Sequence, residues 1–248
     1  MIKPAHTLLE EERQFYQLGY EIFNSDYNLW KIDIRDCFQD YLFNQLKTND
    51  IAFNINDIKN YHQIFNANQI QHHQFIKRIS RVIPNNYLSP NCRYINLIKE
   101  KASELFKSKV EIFKNKIEFR VVRPNCADNN LFHRDHWFPY FKPLINIYLP
   151  ICGSDYRSVL KIVPGSHHWP DEDVKPTFEF NSGKTRSKDG ILYSTPTILE
   201  CKRNLEIHKP DVKEGDFMFF SPMIIHGGGE NHGSFTRFSL EIRLQLMN

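Results

Sequence analysis

The spacing of hydrophobic residues changes near residue 109, and this change limits the folds open to the chain. After that point, short β-rich runs alternate with turns that contain Gly, Pro and Asn. Such alternation is typical of antiparallel sheets and barrels. The predicted strands are Lys116–Val122, Pro143–Leu149, Val159–Val163, Phe217–Phe220 and Phe235–Leu246. The second half of the sequence therefore predicts a mainly β fold.

Before residue 109 the apolar residues recur at three- and four-residue intervals, which is the spacing of amphipathic helices. The predicted helices are Leu8–Phe23, Cys37–Leu46, Gln69–Ile83 and Cys92–Phe106. A strand near Leu29–Ile34 is expected to interrupt them. Because an open sheet face must be covered, we expect the helices to pack on the outside of the sheet.

The composition argues against several classes of protein. The 32 Lys and Arg against 29 Asp and Glu give a net charge of +3, too small to predict binding to nucleic acid or to an anionic membrane. The apolar runs are far shorter than the roughly 20 residues that span a bilayer, and the start of the chain lacks a signal-peptide core. The five cysteines show no Cys-x-x-Cys spacing, which favours reduced thiols. We expect a cytoplasmic protein whose partner is a small molecule.

Three residues have the side chains of an iron site with open coordination positions. His133 and Asp135 are two residues apart, so in an extended segment both side chains point to the same face. His226 follows an apolar run and precedes Gly227–Gly229, which places it where a strand ends in a turn. Two imidazoles and one carboxylate leave the opposite side of a ferrous ion free for other ligands.

The His-x-Asp triplet carries little information by itself. With 11 His and 14 Asp in 248 residues, chance alone gives about 0.6 such triplets. A lone histidine is more often structural. The rest of the pattern favours a metal site: the distant His226 lies beside glycines, and Arg237 and Ser239 follow it on one face of a predicted strand.

These blocks resemble, in the same order, the phytanoyl-CoA dioxygenase family of Fe(II)/2-oxoglutarate oxygenases, which includes ectoine hydroxylase. The resemblance spans roughly residues 116 to 243. Its most specific motif is the Pro-Gly-Ser-His turn at residues 164–167 after a short apolar strand. The eleven-residue spacing from His226 to Arg237 is that of the family, and it selects His226 over His232. The other matching blocks are Arg123-Pro124, His133–Trp137, Leu144–Pro150 and Gly215–Phe220.

The resemblance implies a double-stranded β-helix, a jelly-roll, cupin-like barrel whose open mouth holds the metal. We expect one oxygenase domain over residues 1–248. Residues 1–115 would form a mostly helical part, residues 116–248 the jelly-roll core, and a polar insertion near residues 169–210 a lid.

The resemblance also implies the cofactors Fe(II), 2-oxoglutarate and dioxygen. His133, Asp135 and His226 would hold the iron and act as the catalytic centre. Arg237 would bind the far carboxylate of 2-oxoglutarate with two parallel hydrogen bonds, and Ser239 would add a hydroxyl donor. Tyr148 and Asn146 lie on a strand that lines this pocket in the family. Hydroxylation, with release of succinate and carbon dioxide, is the expected outcome, because halogenating relatives carry a small residue where this chain has an aspartate.

The substrate side is less defined by the sequence. Arg120 and Arg123 differ by three positions on one strand, so only one of them can face the barrel interior, where it would hold an anionic group. His136 and Trp137 follow the metal ligands, and His167 lies in the Pro-Gly-Ser-His turn. Each of these three is either a substrate contact or an ordinary core or surface residue. We expect a small polar or anionic substrate.

Two other functions fit the same pattern. The chain could be a cupin-like metal enzyme, an isomerase or dioxygenase, that uses no 2-oxoglutarate; Arg237 and Ser239 would then be ordinary strand residues. It could also be a barrel that binds a ligand without turnover. Dependence on 2-oxoglutarate separates the first of these from the main hypothesis, and the effect of alanine at Asp135 separates the second.

Overall fold

The computed structural model describes residues 13–65, 68–80, 92–179, 182, 185–186, 192–193 and 195–247, with the backbone alone at residues 115–116, 185–186 and 192–193. Its α-helices are α1 (Gln14–Leu18), α2 (Tyr27–Trp30), α3 (Cys37–Thr48), α4 (His62–Phe65), α5 (Gln69–Ile79) and α6 (Arg93–Phe106). No helix among these residues is long and apolar enough to cross a membrane.

Five strands form the major sheet, in the order β1-β9-β3-β11-β2, and every neighbouring pair in it is antiparallel. The strands of the molecule are β1 (Tyr20–Phe23), β2 (Lys109–Val122), β3 (Leu144–Cys152), β4 (Lys161–Val163), β5 (Val174–Pro176), β6 (Thr185–Arg186), β7 (Leu192–Tyr193), β8 (Ile198–Cys201), β9 (Phe217–Phe220), β10 (Ile225–Gly227) and β11 (Arg237–Met247). The predicted strand Phe217–Phe220 has the observed bounds, and the other four predicted strands overlap observed ones.

A smaller layer faces the major sheet. It is built from β4 and β10, and isolated bridges extend it from His133 to His226 and from Ile162 to His208. An apolar cluster that includes Tyr148, Ile162 and Phe220 contains residues of both layers. Two facing antiparallel sheets with polar space between them make a jelly-roll barrel, so the predicted double-stranded β-helix is confirmed.

The helices cover the outer face of the major sheet, as predicted. Phe38 of α3 packs against Phe119 of β2 and Phe238 of β11, with ring centroids 5.3 Å apart in both pairs. Trp30 is fully buried, and its indole Nε1 donates to the carbonyl of Pro150 at 3.1 Å. Alternate residues of β2, β3 and β11 therefore face this helical core, and the intervening residues face the barrel interior.

The predicted strand near Leu29–Ile34 is wrong. The segment is helical: α2 is followed by a π-helix over Lys31–Asp36. The Asp26 side chain accepts hydrogen bonds from the amides of Asn28 and Leu29, which starts the helix. Trp30 and Ile34 are both fully buried, whereas Ile32 between them is 58% exposed. In a strand all three side chains would lie on the same face, so this pattern of burial is helical.

The first predicted helix is also shorter than expected. Within Leu8–Phe23, residues 8–12 lie outside the described part, α1 covers Gln14–Leu18, and Tyr20–Phe23 is a strand at the edge of the major sheet. Gly19 has φ +84°, a conformation that favours glycine, and it separates the helix from the strand. The helix predicted over Gln69–Ile83 ends at Ile79, and residues 81–83 lie outside the described part.

The segment of residues 169–210 contains two short antiparallel pairs, β5 with β8 and β6 with β7. The amide of Ile198 donates to the carbonyl of Phe132 at 3.0 Å, beside His133. The segment therefore contacts the loop that carries the first histidine. Its function as a lid remains a prediction.

Candidate metal centre

His133 and His226 come together because their backbones pair. The amide of each donates to the carbonyl of the other, at 2.9 and 3.0 Å, and the ring centroids are 4.4 Å apart. His133 ends the loop after β2, whereas His226 lies in β10. The pairing of these distant segments builds one edge of the barrel mouth.

The three glycines after His226 allow this close approach. A β-carbon on Gly227 would lie 3.2 Å from the amide nitrogen of Phe132, and one on Gly228 would lie 3.1 Å from that of Asn130. A β-carbon on Gly229 would lie 2.5 Å from the carbonyl oxygen of Val159. The glycine run is therefore a packing requirement of the site, since side chains would push the two histidine segments apart.

The two imidazoles present the same nitrogen to one carboxylate. His133 Nε2 lies 3.4 Å and His226 Nε2 lies 3.8 Å from Asp135 Oδ1. Their Nδ1 atoms lie 2.8 Å from the carbonyl of Leu131 and 3.1 Å from that of Ile224. Because a carbonyl only accepts, each Nδ1 must carry the hydrogen, which leaves the Nε2 lone pairs for a metal ion.

This group has the geometry and the charge of a metal site. Ligand atoms of His133, Asp135 and His226 all lie within 4.8 Å of one another, and the three residues are buried. Burial by itself would raise the pKa of Asp135, but Arg243 and the two imidazoles hold that pKa well below its usual range. Burial, and then the charge of His133, lowers the pKa of His226 to about 4. An ionised carboxylate and a neutral imidazole are the forms that bind metal.

The second oxygen of Asp135 is held from the major sheet. Asn146 Nδ2 donates to Asp135 Oδ2 at 3.1 Å, and Arg243 Nη2 lies 3.2 Å from the same atom. Arg243 was not among the site residues predicted from the sequence. The available signal was its spacing of six from Arg237 on one strand, because an even spacing places both side chains on the same face.

Arg237 is buried at the inner side of the same cavity. Its Nη1 donates to the carbonyl of Ser158, and its Nε has no hydrogen-bond partner among the described residues. Ser239 lies two residues further on the same face and also lines the cavity, as do Asn146 and Tyr148. A buried guanidinium with a free donor is suited to a carboxylate. The structure thus brings the four predicted cofactor contacts to one cavity with the metal group.

Arg120 and Arg123 face opposite sides of β2, as their spacing predicts. Arg120 lines the cavity, with its Nε 2.9 Å from Glu241 Oε1. Arg123 is fully buried on the helical side, where its Nε donates to Asp128 Oδ2 at 2.8 Å. Arg120 is therefore the member of the pair that lines the cavity, and Arg123 ties the strand to the loop that follows it.

The remaining predicted substrate contacts lie elsewhere. The Nε2 of His136 is 2.8 Å from Asp171 Oδ1, and the Nε2 of His167 is 3.1 Å from the carbonyl of Tyr16. Trp137 is half-buried against an apolar cluster of the smaller layer. These three residues are not among the described ones that line the cavity. Their part in substrate binding stays a prediction.

Comparison with known proteins supports a relationship at the level of family and fold. A sequence model of the phytanoyl-CoA dioxygenase (PhyH) family matches residues 49–239. No curated protein matches the chain. EvdO2 from Micromonospora carbonacea var. aurantiaca is 12% identical, with a TM-score of 0.58, over 99% of this chain and 93% of that protein.

Two further solved structures have the same fold. SnoK, a non-heme alpha ketoglutarate dependent carbocyclase from nogalamycin biosynthesis, is 14% identical, with a TM-score of 0.52, over 94% of this chain and 81% of that protein. EctD from S. alaskensis, solved with 2-oxoglutarate and 5-hydroxyectoine, is 12% identical, with a TM-score of 0.50, over 98% of this chain and 76% of that protein. At these identities the likeness concerns the fold.

Proposed function

The chain belongs to the phytanoyl-CoA dioxygenase family, whose cofactors are Fe(II) and 2-oxoglutarate, and we propose that its reaction is the hydroxylation of a small polar or anionic molecule. The observation that carries the proposal is the buried group of His133, Asp135 and His226 beside the buried guanidinium of Arg237. A two-histidine, one-carboxylate set leaves coordination positions free, and an arginine in the same cavity can orient an acid that occupies them.

The described side chains fit both cofactors. The Nε2 atoms of His133 and His226 and the Oδ1 of Asp135 are the donors for iron, and the hydrogen bonds of the Nδ1 atoms fix both rings. The unpaired Nε of Arg237, in a buried position, provides a donor for the far carboxylate of 2-oxoglutarate. When bound, this cofactor pair couples the oxidation of 2-oxoglutarate to succinate and carbon dioxide with the insertion of one oxygen atom of dioxygen into a C–H bond.

The protein's own contribution is binding and orientation. Burial of Arg237 strengthens its hydrogen bonds to a carboxylate, because few water molecules compete for them. Tyr148 lies on the same wall, and its hydroxyl is 3.1 Å from that of Ser154, which fixes the ring. Asp135 supplies the third protein ligand. Its presence favours hydroxylation over halide transfer, because the halide would have to bind where Asp135 lies.

The charged cavity wall supports a polar substrate. Arg120 has a side chain that is 41% exposed, beside Glu118 at 45% and Glu241 at 24%. The ion pair with Glu241 occupies only one edge of the Arg120 guanidinium, so other donors remain for a hydroxyl or carboxylate group. A long acyl chain would remove these charges from solvent without offering them any hydrogen bond, which is costly.

Binding of the cofactors is the first test. Fe(II) and then 2-oxoglutarate are added without oxygen, and the weak visible charge-transfer band of the complex is titrated in wild type, Arg237→Ala, Asp135→Ala and Arg157→Ala. We expect a band in wild type and in the Arg157 variant, whose guanidinium pairs with Asp155 at the surface. Loss of Arg237 should weaken 2-oxoglutarate binding by at least about 30-fold, since unpairing a buried charge costs about 2–5 kcal/mol.

The same titration distinguishes the competing functions. Iron bound without any band in wild type would contradict the use of 2-oxoglutarate and favour a cupin-like metal enzyme. For the reaction type, the mass of the product decides: hydroxylation adds one oxygen atom, a cyclisation removes two hydrogens, and an epimerisation leaves the mass unchanged. A product without added oxygen would overturn hydroxylation and leave the cofactor assignment intact.

A further inference from the structure

We infer that Arg243, together with Asn146, is a positioning residue that fixes Asp135 as a one-oxygen metal ligand. The inference rests on the proposed function, because it assigns a role within the same metal centre. It is based on the different contacts that the two carboxylate oxygens of Asp135 make. Oδ1 faces both imidazoles, whereas Oδ2 meets Asn146 Nδ2 at 3.1 Å and Arg243 Nη2 at 3.2 Å.

The two donors reach Asp135 from neighbouring strands. Arg243 of β11 is the cross-strand partner of Asn146 in β3, so both side chains leave the same point of the sheet on the same face. Asp135 comes from a loop more than one hundred residues before Arg243 in the sequence. The rigid sheet therefore determines the position of a ligand that would otherwise be held only by its own loop.

Arg243 is itself held firmly. Its guanidinium carbon lies 3.9 Å from the centre of the Phe141 ring, its Nη1 is 3.5 Å from Glu118 Oε2, and its side chain is 12% exposed. A fixed, stacked guanidinium holds its N–H donors in one plane at set directions, unlike a lysine, which carries a mobile point charge. With Oδ2 engaged in this way, Asp135 offers a single oxygen to the ion, and more coordination positions stay free for 2-oxoglutarate and dioxygen.

The effect of losing Arg243 on metal affinity has opposite signs for the two possible roles, a charge near the ion or a group that positions a ligand. A positive charge near a divalent cation repels it, so removal of the charge alone would tighten metal binding. Loss of a group that orients a ligand weakens metal binding, typically by about 10–100-fold. A weaker affinity in Arg243→Met would therefore identify the positioning role.

The test is a titration of the apoprotein with Co(II) at pH 8, followed by visible absorption, which reports both affinity and the number of ligands. We expect Arg243→Met and Asn146→Ala each to weaken Co(II) binding by about 10–100-fold and to change the spectrum. Arg243→Lys keeps the charge but loses the planar group, and we expect only partial recovery of affinity. Arg157→Met is the matched control: it removes an arginine that pairs with Asp155 at the surface, and its Co(II) affinity should be unchanged.

Each outcome has one meaning. Absence of Co(II) binding in wild type contradicts the proposed function itself. Normal binding in wild type, with unchanged or tighter binding in Arg243→Met and Asn146→Ala, contradicts only the positioning role. Full recovery in Arg243→Lys would show that the charge suffices and would also overturn the inference. If circular dichroism shows that Arg243→Met does not fold, the Lys variant and Asn146→Ala decide the matter.

Discussion

At the residue scale, Gly229 shows how closely the segments of the metal centre are packed. An added β-carbon would lie 2.5 Å from the carbonyl oxygen of Val159 and 3.6 Å from that of Ser158. The Ser158 carbonyl accepts the hydrogen bond of Arg237. The glycine is thus connected, through one backbone segment, to the guanidinium that we assign to 2-oxoglutarate.

We predict that Gly229→Ala lowers the free energy of unfolding by about 1–3 kcal/mol, as overpacking does in other proteins. It should also weaken 2-oxoglutarate binding, because the Val159 carbonyl must move, and Ser158, whose carbonyl accepts from Arg237, is its neighbour in the chain. Urea unfolding and the charge-transfer titration measure the two effects. Gly233→Ala is the control, because the atom nearest to its added β-carbon is a side-chain atom, Asn231 Oδ1, at 3.1 Å. An equal loss of unfolding free energy in both variants would contradict the packing argument.

At the element scale, α5 contacts the loop between β2 and His133 through the buried His72 and through Gln69, whose Nε2 donates to Asp128 Oδ1 at 2.8 Å. The Nδ1 of His72 lies 3.0 Å from the hydroxyl of Tyr61, and its Nε2 lies 3.6 Å from Asp128 Oδ1. Burial lowers the pKa of His72 to about 3, although the charge of Asp128 opposes this shift. The histidine is therefore neutral near pH 7, and its approach to Asp128 is not an ion pair.

This environment makes stability depend on pH. Between pH 6.5 and 3 the unfolded chain binds a proton at His72 that the folded protein does not, so the free energy of unfolding should fall as the pH is lowered through that window. His226, with a pKa of about 4 in the metal-free protein, acts in the same direction. Each group contributes at most about 1.4 kcal/mol per pH unit.

We predict that His72→Gln reduces this dependence, because the amide can still bond with Tyr61 and does not titrate. Urea unfolding at pH 7, 6 and 5 gives the slope, and His232→Gln, at an exposed position, should keep the wild-type slope. An identical slope in wild type and the His72 variant would show that the buried histidine does not determine acid stability.

At the scale of the whole molecule, the cofactors should act as stabilising ligands. The metal centre joins a loop, a strand of the smaller layer and, through Asn146, the major sheet. A ligand that binds only the folded state at 100 times its Kd adds about 2.7 kcal/mol. For a chain of this size each kcal/mol raises Tm by about 2–4 °C.

We therefore predict that Mn(II) with 2-oxoglutarate raises Tm by about 5–10 °C without oxygen present. The measurement is a thermal scan followed by circular dichroism, with Asp135→Ala as the variant that should show no shift. A shift of equal size in that variant would mean that the ion stabilises the protein from another place.

Hydrophobic spacing predicted most of the helices and strands. It failed at Tyr20–Phe23, which is a strand, and at Leu29–Ile34, which is helical. The helix Cys92–Phe106 and the strand Phe217–Phe220 were predicted nearly to the residue, because their periods are clear and their ends carry turn residues. At Leu29–Ile34 a short apolar run fits both the strand period and the helix period, so spacing alone does not distinguish them. The Asp26 cap and the exposure of Ile32 between the buried Trp30 and Ile34 show that the segment is helical.

The sequence by itself determined the fold family and nominated His133, Asp135, His226 and Arg237, because residue type and spacing are written along the chain. Only the tertiary structure decided that Arg120 faces the cavity while Arg123 faces the helices, since spacing gives opposite faces without saying which face is inside. The contacts of Arg243 and Asn146 with Asp135 were likewise invisible in the sequence. They depend on strand register and on a loop distant in sequence, and both are fixed only when the sheet assembles.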